Sequence, residues 1–150
     1  MSSAIVRRAT LDDFKQVALL FNEYRQFYVQ PKNIDLAESF IKTRLVNKDS
    51  IILVAVDDKQ HLVGFCQIYP TFCSLIAAPI FLLYDLFVDV PSRKTGAGKL
   101  LLLAAHEHAQ QNGCARLDLT TAKTNLTAQS LYESLGWVRD EEFYTYTKVV

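Results

Sequence analysis

The sequence predicts a mixed α/β fold, with helices flanking one central sheet. Three observations carry that prediction. Ile51 to Val56 is an unbroken apolar run rich in β-branched residues, the mark of a strand covered on both faces. Leu11 to Tyr28 and Ala97 to Gln111 instead place apolar residues three and four apart, the helical period. Strand-like and helix-like stretches then alternate, with no repeat, linker or low-complexity tract to divide them. The 150 residues suit one domain, so 1–150 is read as a single unit.

Half of the residues are hydrophobic, enough for a core without staples. Sixteen basic and sixteen acidic residues cancel, which argues against a nucleic-acid binder working by bulk charge. Three cysteines, Cys66, Cys73 and Cys114, are an odd and widely spaced set. They imply free thiols in a reducing compartment, hence a cytoplasmic protein. The first eight residues lack the apolar core of a secretory signal. Phe72 to Leu83 is strongly apolar but too short to span a bilayer, so it is read as a loop and a buried strand with no membrane role.

In chain order, Ala4 to Arg8 is a short first strand. Thr10 followed by Asp13 is a capping-box variant that opens the first helix, Leu11 to Tyr28. Phe14, Val17, Ala18, Phe21, Tyr24 and Tyr28 form its inner face. Asp35 caps a second helix ending near Asn47. After the central strand, Asp57 to His61 is a polar turn. Leu62 to Tyr69 returns as a strand in which Gly64 marks a bulge or bend and which Pro70 ends. Phe81 to Asp89 is the fourth strand. The helix from Ala97 packs Ala97, Leu100, Leu101, Ala104 and Ala105 on the sheet and stops at Gly113. Arg116 to Thr121 is a half-buried strand, Leu126 to Leu135 a short helix ended by Gly136. Trp137 to Asp140 and Glu142 to Lys148 read as final strands.

Chemistry concentrates where the fourth strand meets the next helix. Leu86-Phe87-Val88-Asp89 runs into Arg93-Lys94-Thr95-Gly96-Ala97-Gly98-Lys99. Such a loop aims several backbone N–H groups at one spot before a helix N-terminus, where the helix dipole favours a phosphate or pyrophosphate. Gly96 and Gly98 let a ligand approach the main chain, and Arg93 adds a planar cation. The pattern is not a Walker loop, which needs Gly at Arg93 and Ser or Thr at Leu100. Nor is it a dinucleotide fingerprint, which needs Gly near Leu101.

These residues carry a resemblance. Arg93-Lys94-Thr95-Gly96-Ala97-Gly98 matches the acyl-CoA signature of the GNAT superfamily of acetyl-CoA-dependent N-acetyltransferases. A second landmark, Asn125 through Leu131-Tyr132-Glu133 to Gly136-Trp137, follows in the right order, and Val6-Arg7-Arg8-Ala9-Thr10 is similar to the family's opening. The resemblance implies the GNAT-like fold, a mixed central sheet whose fourth and fifth strands splay apart. It implies acetyl-CoA as co-substrate, no metal, and transfer of acetyl to a primary amine in a ternary complex.

By the same resemblance, the coenzyme's pyrophosphate would rest on the N–H groups of Lys94 to Lys99, including Thr95 and Ala97, with Gly96 and Gly98 nearest. Its pantetheine arm would run beside Phe87 and Val88 like an added strand. Tyr132 stands at the family's acid position and would protonate the leaving thiolate. Asp85 stands where many relatives place a carboxylate, so it serves as the base, directly or through water, or only bonds neighbouring backbone. Asn125 would contact the cofactor, tie the splayed strand, or simply cap its helix. Tyr84 to Asp89 and Phe143 to Tyr146 look similar to the branch that acetylates polyamines and histone lysines. The acceptor is then a small amine, a polyamine or a lysine side chain, with a nuclear location if it is a histone. The rival reading is a non-catalytic acyl-CoA-binding sensor.

Two features lead elsewhere. His106-Glu107-His108 suggests metal, but residues two apart on a helix diverge, so a solvated face is expected. Cys114 has no histidine in a suitable relation, so a buried structural thiol is expected. The final Tyr- and Thr-rich strand is expected to pair with a second copy in a homodimer.

Overall fold

A computed structural model describes residues 4–150. They form two compact units, one ending at Leu119 and one beginning at Thr120. The first carries β1 (Ile5–Arg8), a 3₁₀ turn (Leu11–Asp13), α1 (Phe14–Phe27), α2 (Ile34–Asn47), β2 (Ile51–Val56), β3 (Leu62–Cys73), β4 (Ala78–Val88), a second 3₁₀ turn (Val90–Ser92), α3 (Ala97–Gln111) and β5 (Leu117–Asp118). The strands make one five-stranded sheet in the order β1-β2-β3-β4-β5. Each neighbouring pair is antiparallel except β4 and β5, which are parallel. A parallel pair needs a crossover, and α3 supplies it.

Side-chain alternation gives the sheet two different faces. On one, Ile52, Val54, Val56, Phe65 and Phe87 form a core with Val17 and Leu20 of α1 and Ile41 of α2. On the other, Leu101, Leu102, Ala105 and Ala109 of α3 are buried. At Gly64 that second face comes close to α3. A Cβ there would stand 3.0 Å from the Phe87 carbonyl oxygen and 3.3 Å from Leu101 Cδ1. The β2–β3 register also slips beside Gly64, between Ala55 and Val56, so the expected bulge is present.

The N-terminal junction shows how a short motif fixes a helix. The Asp13 carboxylate accepts from the Thr10 N–H at 2.7 Å, and Arg7 grips the same carboxylate at 2.8 and 2.9 Å. The Arg7 hydrogen bonds hold the Asp13 carboxyl below the ordinary carboxylate range against the opposing effect of burial. The helix begins as a 3₁₀ turn before becoming α-helical at Phe14.

Several boundaries differ from the sequence expectation. Asn33, not Asp35, caps α2, its side chain accepting from the Leu36 N–H at 3.1 Å. In α3, Leu102 and Ala109 face inward while Leu100 is 39% exposed. Pro70 does not end β3, which continues to Cys73 and pairs with β4 down to Ala78. The pairing of β3 with β2 stops at Ile68, so Pro70 lies on a free edge where a missing N–H is tolerated. The tip of this long hairpin is exposed rather than buried, with Phe72 at 76% and Leu75 at 89%.

In the second unit, α4 (Leu126–Ser134) is capped by Asn125, whose side chain accepts from the Ala128 N–H at 3.2 Å. Gly136, at φ 90°, closes it. Trp137 N–H donates to the Tyr132 carbonyl and Gly136 N–H to the Glu133 carbonyl, both at 3.1 Å, the paired bonds of a Schellman ending. The two strands expected over 137–140 and 142–148 are not formed. Alternation makes a segment capable of being a strand, but a strand also needs a ladder partner, and the five-stranded sheet among the described residues does not include this segment.

Candidate active site

The sheet register opens an edge along half of β4. Strand β5 pairs with β4 only at Phe81 and Leu82. From Leu83 to Val88, β4 is paired on its β3 side alone, with Tyr84 left out of the ladder where the register shifts. This is the splay that the sequence led us to expect. Asp89 N–H donates to the Val63 carbonyl at 2.9 Å. In an antiparallel ladder, bonded and non-bonded pairs alternate, so Phe87 is bonded to Phe65 and the backbone of Val88 turns outward, as does that of Leu86. The open edge thus presents the Leu86 N–H and carbonyl and the Val88 N–H, while the Val88 carbonyl is bonded to Arg93 and the groups of Phe87 are taken up by β3.

Arg93 lies across the end of this edge. Its Nε donates to the Val88 carbonyl at 3.0 Å. Its guanidinium stands 5.8 Å from the Phe27 ring centre and 5.4 Å from that of Phe87. Between β4 and α3 the chain is shaped by its own short bonds. Asp89 Oδ1 accepts from the Ser92 N–H at 3.1 Å, and Thr95 Oγ1 donates to the Ser92 carbonyl at 2.6 Å. Lys94 and Gly96 take positive φ of 64° and 91°. Gly96 is the residue before α3, and a Cβ on it would meet nothing within 4 Å. The first backbone bond into the helix runs from Leu100 N–H to the Gly96 carbonyl at 3.0 Å. The N–H groups of Ala97, Gly98 and Lys99 precede that bond, so they have no acceptor within the helix. Lys94, Thr95 and Lys99 are exposed around them. An open edge strand, a roomy glycine and unclaimed helix N–H groups fit the pantetheine amides and the diphosphate of acetyl-CoA.

Asp85 sits on β4 next to the open edge, on the α1/α2 face, and is buried. Its Oδ2 accepts from Gln67 Nε2 at 2.9 Å. Gln67 Oε1 in turn accepts from Ser50 Oγ at 2.9 Å. Gln67 and Ser50 are buried as well. From the other side comes Tyr24 of α1. Its single hydroxyl proton has two acceptors, the Tyr84 carbonyl at 3.5 Å and the Asp85 carboxylate. At 3.5 Å the carbonyl contact is at the limit of a hydrogen bond. Burial pushes the Asp85 carboxyl up, and the bonds from Gln67 and Tyr24 offset that only in part.

Aromatic rings surround this carboxylate. Tyr24 meets Phe65, Phe87 and Tyr28 edge-on at 5.9, 6.1 and 5.1 Å, and Tyr69 meets Tyr84 at 5.4 Å. Burial raises both phenols, Tyr69 to about 12 and Tyr24 further. Both are therefore neutral near pH 7. The sequence reading found Asp85 but missed Gln67 and Ser50. A signal existed: a lone amide inside the apolar strand run Val63 to Ile68 has to be bonded to something.

In the second unit, Tyr132 is half-buried on α4 with its ring 6.1 Å from that of Trp137. Asn125 caps the same helix, as described. Elsewhere, His106 and Glu107 are exposed, while His108 is partly buried with its ring 6.4 Å from Phe81. Among the described residues, no group of three or more His, Cys, Asp or Glu side chains could hold a metal ion. Cys114 is half-buried rather than buried, and burial raises its thiol.

Comparison with known proteins agrees with this geometry. Residues 17–137 match the model of the Acetyltransferase (GNAT) family. An uncharacterized N-acetyltransferase of Bacillus subtilis, YhfO, is 44% identical over 141 residues, 94% of each chain. The crystal structure of a probable acetyltransferase superposes with a TM-score of 0.91 at 34% identity, covering 97% of each chain. The L-ornithine N5-acetyltransferase NATA1 of Arabidopsis thaliana is 34% identical over 73 residues, 49% of this chain and 32% of that protein. With its splayed β4 edge and helix-capping glycine loop, the chain belongs to the GNAT family of acetyltransferases.

Proposed function

We propose that this acetyltransferase moves the acetyl group of acetyl-CoA directly to a primary amine, with Asp85 as the base and Tyr132 as the acid. The observation that carries the reading is the buried Asp85 carboxylate, close to Tyr24, on the half of β4 that β5 leaves unpaired. Such a setting attracts an ammonium group by its charge and by aromatic faces. It also suits proton removal, because burial lifts a carboxyl toward the pH at which the reaction runs.

Bound acetyl-CoA supplies the activated acetyl group. An alkyl ammonium has a pKa near ~10 and must lose a proton before its nitrogen can attack. That proton passes to Asp85, relayed by the Tyr24 hydroxyl or a water. The outward Val88 N–H would steady the negative charge on the acetyl oxygen as the C–N bond forms. As the C–S bond breaks, the Tyr132 phenol gives its proton to sulfur, and the nitrogen sheds its second proton to solvent. The role of Tyr132 rests on its place in the family motif.

We assign the acceptor to small amines, polyamines or lysine side chains. The ornithine-acetylating relative supports an amine on a flexible aliphatic stem. The two units work as one acetyltransferase domain, a reading supported by a family match that spans both. The exposed 142–148 segment would find its strand partner in a second copy. Free thiols support a cytoplasmic setting, and among the described residues no helix is long and apolar enough to cross a membrane.

Coenzyme release should be measured with acetyl-CoA and a panel of polyamines, ornithine, lysine, aminoglycosides and histone-tail peptides. One class of amine is expected to give turnover, and Tyr132→Phe to lower kcat about 10²-fold or more while acetyl-CoA affinity stays unchanged. Full turnover by Tyr132→Phe would remove that residue from the mechanism.

A further inference from the structure

We propose that Ser50 and Gln67 are positioning residues that hold Asp85 in its ionised, proton-accepting form. The inference rests on the reading of Asp85 as base and adds the two residues that set it. An amide can present either its oxygen or its NH₂ to a carboxyl group. With NH₂ presented it stabilises the carboxylate, and with oxygen presented it stabilises the protonated acid. An ionised carboxylate only accepts, so the first arrangement needs the Gln67 oxygen to find a donor elsewhere.

Ser50 completes the arrangement. Its hydroxyl donates to Gln67 Oε1 at 2.9 Å, so the amide oxygen is bonded while Nε2 faces Asp85 Oδ2 at 2.9 Å. The three residues lie just before β2, on β3 and on β4, across neighbouring strands. Gln67 is 0% exposed, Asp85 5% and Ser50 6%, so water does not compete for these bonds. A buried polar line of this kind is costly unless each member is bonded, and here each is.

The surroundings make the effect readable. The titratable groups whose charge interacts with Asp85 are Tyr24 from α1 and Tyr69 from β3, with Cys66 of β3 on the opposite face of the sheet and Tyr84 beside it on its own strand. Arg44 of α2 and Asp49 act on Tyr69 with opposite signs. Burial raises Tyr24, and it raises Cys66 and Tyr69 to about 12. These three stay neutral while Asp85 titrates, so an acidic limb in the rate profile reports the carboxylate.

The test compares wild type with Gln67→Met, Ser50→Ala, Ser50→Thr and Asp85→Asn. Two quantities are read: the acid limb of kcat/KM, and the Asp85 carboxyl titration by carbon NMR. Met keeps the volume of Gln67 and removes its donor. Circular dichroism checks the fold, and Ser50→Ala is the milder variant should Gln67→Met be destabilised. We expect both quantities to move up by about one pH unit in Gln67→Met, by less in Ser50→Ala, and to return in Ser50→Thr. A carboxyl titration unmoved in both Gln67→Met and Ser50→Ala overturns the inference. A carboxyl that moves while the rate limb stays, with Asp85→Asn retaining that limb, supports the positioning but contradicts Asp85 as base.

Discussion

The two faces of the sheet are built from similar backbone and do different work. Behind α3, Leu101, Leu102 and Ala105 are buried and Gly64 lets the helix approach. Under α1 and α2 the same strands carry an apolar patch that gives way, toward β4, to Ser50, Gln67 and Asp85. A packed apolar layer needs only volume and shape. A buried carboxylate needs bonds that offset its desolvation, and it still stands above its ordinary pKa. The cost in stability falls on the α1/α2 face, beside the open half of β4, where we propose the base.

The sharpest way to break the comparison is Asp85→Asn. Turnover should fall about 10²- to 10⁴-fold. Stability should not fall, because the amide oxygen still accepts from Gln67 and no charge has to be buried. The sign of the pH dependence follows from the raised carboxyl. Between its ordinary value of 3.8 and its higher folded value, the native state keeps a proton that the unfolded chain has released. Wild-type stability therefore loses this contribution as pH rises through that window, and Asp85→Asn removes the slope. Denaturant melts across pH 4 to 8 read it; an unchanged slope would show that the buried carboxyl bears no such cost.

A smaller effect in energy, and opposite in kind, is expected from Leu101→Ala on the other face. It should cost about 2–5 kcal/mol of stability through lost burial and a cavity. Turnover per folded molecule should stay near wild type at a temperature where the variant is folded. A large loss of kcat without loss of stability would show that the α3 face is part of the chemistry.

Much of this was readable beforehand. The continuous apolar run of β2, rich in β-branched residues, is buried at every position, as that pattern demands. The range Ala97–Gln111 for α3 was expected from its apolar spacing and its Gly113 stop, and it is the range observed. The glycine loop and Asp85 were visible because their residue types are rare in those places. What escaped depends on partners distant in sequence. The bond from Gln67 to Ser50 spans seventeen residues, and that to Asp85 eighteen, so no local pattern announces either. Pro70 was read as a strand end because a local rule cannot tell a free edge from a paired one. The Phe143 to Lys148 alternation misled for the converse reason: it describes a surface fit for pairing and says nothing of whether a neighbour is at hand.

We propose the loop before α3 as the seat of the acetyl-CoA diphosphate. Calorimetric titration of acetyl-CoA into wild type and Gly96→Glu tests this most directly. Glu adds bulk and a negative charge where the helix N–H groups point, and it takes a positive φ of 91° that side chains disfavour. Wild type should bind and Gly96→Glu, still folded by circular dichroism, should show no measurable heat of binding. Equal affinity in the two proteins would contradict it.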